Sequence, residues 1–274
     1  MNYIKEDMKL YFLSLASGSS GNCYYLGTPD YGILIDAGIG IRTIKKVLRD
    51  KAIDFSKILA VLVTHDHADH IKTVGYLGEQ MNIPVYSTNA VHKGIDKSRY
   101  VEETLISSRR IIAKEEPFTI RDFTITAFEV PHDSSDNVGY YIEYGDHRFV
   151  IATDVGHTTD TISHYVRRAT HLVLEANYDE VMLKQGNYPP FLKERVAGPS
   201  GHLSNHEAAE FLAANYTPKL KDIWLCHLSR DNNHPELAYK TVDIRLFEEG
   251  IRVGKDVSLT ALKRTTPSEV FELE

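Results

Sequence analysis

Thr64-His65-Asp66-His67-Ala68-Asp69-His70 crowds three histidines and two aspartates into one short stretch, directly after the wholly apolar run Ile58-Leu59-Ala60-Val61-Leu62-Val63. An apolar run rich in β-branched residues and cut off by an abrupt polar change predicts a central strand buried on both faces. The polar cluster then sits at that strand's carboxyl end. His65 and His67 are two apart, so an extended chain sends both rings to the same side, while Asp69 and His70 fall where the amphipathic stretch Ile71 to Met81 begins a predicted helix. A single His-x-His reads as decoration of a polar turn. Several imidazole and carboxylate groups in one turn would repel one another or stay poorly solvated without a cation, and that reads as a metal site.

Composition bounds what else the chain does. With 274 residues, 42% of them hydrophobic and 25% charged, it can bury a large core. A net charge of −7 argues against a general polyanion binder, so any nucleic-acid surface must be local. The cysteines, Cys23 and Cys226, are too few for a disulfide framework, fit a reducing compartment, and read as small buried apolar residues. Leu10 to Ala16 is apolar, but Glu6 and Asp7 spoil the cationic region of a secretory leader, so it is read as the first strand. No stretch approaches the roughly 20 apolar residues of a membrane span. The expectation is a soluble, cytoplasmic protein with no membrane partner, and no protein partner is legible.

Taken in order, the pattern predicts strands at Leu10–Leu15, Cys23–Gly27 and Tyr31–Ile35, with the small-residue loop Ser17 to Asn22 closing the first hairpin. That loop is either a plain turn or a nest of backbone amides for an anion. Ile39 to Asp50 has helical apolar spacing, with Arg42, Lys45, Lys46 and Arg49 on a solvated or phosphate-contacting face. Further strands are predicted at Pro84–Ser87, Phe118–Ile120, Phe123–Val130, Val138–Tyr144, His147–Thr153, His171–Ala176 and Asp222–Cys226. Helices are predicted at Thr88–Gly94, Thr158–Arg168, from the capping box Ser204-Asn205-His206-Glu207 to Ala214, and at Pro235–Glu249. Asn177 to Gly201 reads as a broken helical or loop region.

Separate predicted strands thus end in Asp36, His65, His132, Asp154 and His227. Nothing local requires that coincidence. Strand carboxyl ends share one sheet edge, where open α/β architectures place their sites.

Asp36, His65-x-His67-x-Asp69-His70, His132, Asp154 and His227 resemble, in order and spacing, the five motifs of the metallo-β-lactamase superfamily. The resemblance implies an α/β fold, the four-layer αβ/βα sandwich, as one domain over residues 1–274 built of two similar αβ halves. It implies that His65, His67 and His132 hold one divalent metal ion, that Asp69, His70 and His227 hold a second, that Asp154 bridges them, and that Asp36 orients the site. The ligand set is nitrogen and oxygen throughout, so Zn²⁺ or Mn²⁺ is expected, with Fe²⁺ open. Two ions about 3.5–4 Å apart would share a hydroxide and stabilise attacking and leaving oxygens. Asp69 would also orient the nucleophilic water.

Outside the ligands, Ser17-Gly18-Ser19-Ser20-Gly21-Asn22-Cys23, Thr153-Asp154-Val155-Gly156-His157, Glu175-Ala176-Asn177-Tyr178-Asp179, Gly201-His202-Leu203-Ser204-Asn205 and Asn232-Asn233-His234-Pro235 look most like the YycJ (WalJ) subgroup. That resemblance implies a DNA exonuclease. His202 also resembles the histidine of the His-x-Ser/Thr element of tRNA-processing ribonuclease Z, which makes it a candidate proton donor to the leaving oxygen, with a capping turn as the plainer reading. Ser19, Ser20, Asn22, Lys193, Arg195, Ser204 and His234 are candidate phosphate or substrate contacts, with Tyr188 or Phe191 stacking on bases; a lid covering the site is an equally compatible reading of the segment before His202. The stretch from Asp154 to His227 is too short for the inserted domain of β-CASP nucleases. The expectation is a binuclear phosphodiesterase acting on DNA. The alternatives are a small-molecule hydrolase for a cyclic phosphodiester, thioester or lactone, or a non-catalytic metal-binding regulator.

Overall fold

The computed structural model describes residues 8–274; Glu6 and Asp7 lie outside the described residues. The first half runs β1 (Leu10–Ala16), β2 (Cys23–Gly27), β3 (Gly32–Ile35), α1 (Ile41–Asp50), β4 (Ile58–Leu62), α2 (Ala68–Ile71), β5 (Val85–Ser87), α3 (Asn89–Lys97) and β6 (Arg109–Ile111). The second runs β7 (Phe118–Ile120), β8 (Phe123–Glu129), β9 (Val138–Tyr144), β10 (His147–Ala152), α4 (Asp160–Val166), β11 (His171–Glu175), α5 (Glu180–Gln185), α6 (Pro190–Val196), α7 (Asn205–Asn215), β12 (Asp222–Cys226), α8 (Pro235–Glu248) and β13 (Ser258–Ala261). A last strand, β14 (Phe271–Leu273), returns to pair antiparallel with β1.

These strands form two seven-stranded mixed sheets, ordered β14-β1-β2-β3-β4-β5-β6 and β13-β12-β11-β10-β9-β8-β7. Alternation along each strand decides the layers. Phe12, Tyr24, Ile33, Ile35 and Leu62 face the other sheet and meet Phe149, Ile151 and Trp224 in a shared core. The opposite faces, Leu13, Leu34 and Val61 among them, pack on Ile44 and Leu48 of α1 and Val91 of α3. In the second half Val150, Leu172 and Leu225 pack on α4, α7 and α8 through Ile162, Leu212 and Val242. The result is a four-layer αβ/βα sandwich.

β4 lies between β3 and β5, parallel to both, as an all-apolar strand requires. The predicted helix from Ile71 to Met81 is not regular: α2 stops at Ile71 and a π turn follows at Tyr76–Gln80. The π turn sets Leu77 and Gly78 inward, and Gly78 lies where a Cβ would come within 2.5 Å of the Ser108 hydroxyl. β13 and β14 carry no strong alternation and went unpredicted. Among the described residues no helix is long and apolar enough to cross a membrane.

Candidate metal centre

Each strand that ends at the shared edge delivers one side chain to it. The chain turns sharply there, and Asp36, Asp154 and His227 take left-handed backbone angles, φ 59°, 55° and 54°. Such φ values are uncommon for residues with a Cβ and persist only where the surroundings over-determine them.

The described residues hold several interlocking groups whose ligand atoms lie within 4.8 Å of one another: His65, His67 and His132; Asp69, His70 and His227; and His65, His70 and Asp154. Asp154 sits among them all. Its Oδ1 lies 3.9 Å from His65 Nε2, 3.7 Å from His132 Nε2 and 3.4 Å from His227 Nδ1, and its Oδ2 lies 3.3 Å from His70 Nε2.

The outward hydrogen bonds fix which nitrogen of each ring faces in. His70 Nδ1 donates to Asp36 Oδ2 at 2.7 Å, and His132 Nδ1 donates to the Gly201 carbonyl at 2.9 Å. His67 Nε2 donates to the Asp133 carbonyl at 3.1 Å, and His227 Nδ1 donates to Glu175 Oε1 at 2.9 Å. His65 Nδ1 meets the Thr64 hydroxyl at 3.0 Å. A nitrogen that gives its proton to a carbonyl or carboxylate leaves its partner as a lone-pair donor aimed inward, which is how ligating histidines are held. His65 Nε2 is buried and has no hydrogen-bond partner. A buried imidazole nitrogen without a partner, among the rings of His67, His70 and His132 and facing the Asp154 carboxylate, fits a cation.

The electrostatics agree with this. Burial, joined by His70, pushes His65 well below the usual histidine range, and burial likewise lowers His132. Burial works against charge on His70 too, but Asp154, Asp36 and Asp69 outweigh it and hold it well above that range. For His227 burial is outweighed by Asp154, Asp69 and Glu175, which push it up to about 10. Burial opposes ionisation of Asp154 and is overcome by His227, His70 and His65. A cluster of anions balanced by shared protons is one a divalent cation would discharge.

Glu175 enters the sequence reading only as part of the stretch Glu175 to Asp179, with no role of its own. It has no exposed surface, and both its oxygens are occupied: Oε1 by His202 Nδ1 at 2.8 Å and His227 Nδ1, Oε2 by the backbone amides of Val155 at 2.8 Å and Leu203 at 3.1 Å. Those bonds suit it to positioning, although Glu175 also closes a fourth group with Asp154, His202 and His227 whose ligand atoms lie within the same distance of one another. The prediction ran its strand one residue too far, to Ala176; ended at Glu175, the strand obeys the same rule that picked out Asp154 and His227.

Residues 31–221 match the β-lactamase superfamily domain. The chain belongs to the metallo-β-lactamase superfamily. It is 31% identical over 263 residues to a Bacillus anthracis protein named exodeoxyribonuclease YycJ, spanning 96% of this chain and 99% of the relative. It is 33% identical over 259 residues to a Streptococcus pneumoniae protein named exodeoxyribonuclease WalJ, spanning 94% and 96%. The solved metallo-β-lactamase-fold protein YhfI of Bacillus subtilis superposes with a TM-score of 0.71 at 19% identity, over 96% of this chain and 99% of that one, which bears on the fold alone.

Around this metallo-β-lactamase centre the substrate candidates fall into different places. Ser19 and Ser20 are exposed at the tip of the β1–β2 loop. Asn22 is buried instead: its Oδ1 accepts from the Gly18 amide at 2.8 Å and its Nδ2 reaches His70 Nε2 at 2.9 Å. That spends the loop's first amide internally and leaves less of a nest than the small residues suggest. Ser204 is buried, caps α7 through the Glu207 amide and meets Glu180, so it offers no open face. His234 is exposed and caps α8, accepting from the Glu236 amide. Lys193 Nζ donates to the Lys184 carbonyl at 2.7 Å. Arg195 grips Asp133, with Nη2 to Oδ1 at 3.0 Å, and Asp133 lies 3.4 Å from His132 Nε2, which puts this guanidinium at the rim of the centre. The rings of His202 and His132 are 5.1 Å apart.

Proposed function

We propose that this chain is a metal-dependent phosphodiesterase that shortens DNA from a strand end. The observation that carries the reading is the convergence of His65, His67, Asp69, His70, His132, Asp154 and His227 with each ring's outer nitrogen already spoken for. Nearly full-length relatives named exodeoxyribonucleases supply the substrate class. His65, His67 and His132 would hold one divalent ion, Asp69, His70 and His227 the other, with Asp154 facing both. When bound, two such ions lower the pKa of an attacking water and offset charge building on the scissile phosphate. The all-nitrogen-and-oxygen donor set suits Zn²⁺ or Mn²⁺, with Fe²⁺ open.

The chain's own residues do the rest. Asp36, Thr64 and Glu175 hold the rings in register. Asp69, less buried than Asp154, aims a carboxylate at the reacting oxygen. His202, with Nδ1 tied to Glu175, keeps Nε2 for the leaving oxygen and gives it a proton there. Arg195 at the rim would meet a backbone phosphate.

The test is product length against time on end-labelled single- and double-stranded DNA with Mn²⁺ or Zn²⁺, for wild type and Asp69→Ala. Progressive shortening abolished by the substitution is expected. Intact DNA under both metals would favour a small phosphodiester or thioester substrate instead.

A further inference from the structure

Asn232 and Asn233 are adjacent, both buried, and in opposite states. The Asn233 amide is fully used: Nδ2 donates to the Ala176 and Asn177 carbonyls at 2.9 Å, and Oδ1 accepts from the His234 amide at 2.8 Å. Asn232 is 1% exposed, and neither its Oδ1 nor its Nδ2 has a partner. Its backbone is nevertheless pinned, with its amide on the Ser229 hydroxyl at 3.3 Å and its carbonyl accepting from the Asp179 amide at 2.8 Å. Burying both ends of a carboxamide unpaired forfeits the hydrogen bonds it made to water, so a position selected for packing alone would carry an apolar residue.

The idle Asn232 amide packs under the backbone at Gly186. Its Oδ1 lies against Gly186, where a Cβ would come within 2.5 Å of it. Gly186 opens the connection from α5 to α6, and the apolar residues of this pair form a small cluster of their own, Leu183, Val196, Tyr188 and Leu192 around Tyr178, apart from the main cores. Tyr188 in that connection is half-buried, and its hydroxyl reaches Asp231 only at 3.4 Å. Ser229 in turn is bound to Asn177, whose Nδ2 donates to the His227 carbonyl at 2.8 Å, so these bonds run from the Asn232 backbone to that of a proposed metal ligand.

We propose that the α5–α6 connection lifts to admit the terminal base of a DNA strand, with the Asn232 amide pairing to the base edge and the Tyr188 ring stacking on its face. A carboxamide presents donor and acceptor side by side in one plane, the complement of a base edge. Stacking on an aromatic ring tolerates any base, as an exonuclease needs. The inference rests on the nucleic-acid reading above.

The experiment compares kcat/KM for oligonucleotides whose terminal nucleotide is intact or abasic, at each end in turn, in wild type, Asn232→Ala and Tyr188→Ala. Bis(p-nitrophenyl) phosphate serves as an ester without a base. Wild type is expected to prefer the intact end about tenfold, the equivalent of one good hydrogen bond with its stacking, and both variants to approach parity. Losses from a disturbed metal centre cancel in that ratio. The Tyr188 variant carries the test if Asn232→Ala does not fold. Equal cleavage of intact and abasic ends by wild type, or an unchanged preference in both variants, overturns the base pocket. Hydrolysis of the small ester with no degradation of DNA overturns the nucleic-acid reading itself, and the pocket with it.

Discussion

His202 Nδ1 lies 2.8 Å from Oε1 of Glu175, a carboxylate with no exposed surface that also holds His227 and two backbone amides. One buried side chain therefore sets the orientation of a proposed metal ligand and of the proposed proton donor together. Burial opposes its ionisation, and His202 and His227 overcome that and lower its pKa.

Glu175→Gln keeps the shape but turns an NH₂ toward donors on one side or the other. A fall in kcat of about 10²–10³-fold is expected, with KM changing far less, because Glu175 orients the proposed proton donor His202 and does not itself bind substrate. Steady-state kinetics with metal content measured in parallel checks it; a pure rise in KM would count against the assignment.

Gly38→Ala should disturb the centre without replacing a ligand. A Cβ there would lie 1.6 Å from the Asp69 carbonyl oxygen, which is backbone and cannot swing aside. A destabilisation of ~1–3 kcal/mol with weakened metal binding is expected. Gly40→Ala is the control, since nothing lies within 4 Å of its Cβ position. Denaturant melts of both variants decide.

Glu79 gives a pH prediction away from the metal. The Ser108 hydroxyl, with the backbone amides of Ile106 and Ser108 and the Ser107 hydroxyl, outweighs a small burial cost and lowers its pKa to about 2. A depressed carboxylate contributes stability above its unfolded value, and that contribution is lost as pH falls from about 4.5 through 2. Protection of the Ile106 and Ser108 amides against hydrogen exchange, relative to the intrinsic rate at each pH, is expected to fall over that window, and Glu79→Gln to show the lowered protection at pH 7.

Metal removal should lower the melting temperature. A ligand that binds only the folded state stabilises it by about 2.7 kcal/mol at a hundredfold excess over its Kd. Calorimetry across Mn²⁺ and Zn²⁺ concentrations should show Tm rising with free metal in wild type and a much flatter response in His65→Ala.

The candidate centre was legible because several imidazoles and carboxylates in one turn are poorly solvated without a cation. A histidine-rich turn after a buried strand has few uses, and Asp36, Asp154 and His227 repeat the same position at other strand ends. The strands themselves read well where an apolar run is buried along nearly its whole length, as in β1 and β12. What escaped depended on contacts between segments distant in sequence. Glu175 looks like a polar strand residue until His202, Val155 and Leu203 close around it. The π turn at Tyr76–Gln80 reflects packing that an amphipathic pattern does not encode. The Ser204 cap was legible as a capping box, whereas β14 pairs with a strand at the far end of the chain.

The left-handed backbone at Asp36, Asp154 and His227 sets stability against activity at the same positions. Glycine at any of them would relieve roughly 1–3 kcal/mol of conformational strain while deleting a side chain of the centre. A library screened only for heat resistance would therefore drift toward glycine at these positions and return a sturdier sandwich with a blank edge. Thermostabilising this enzyme requires an activity filter from the first round.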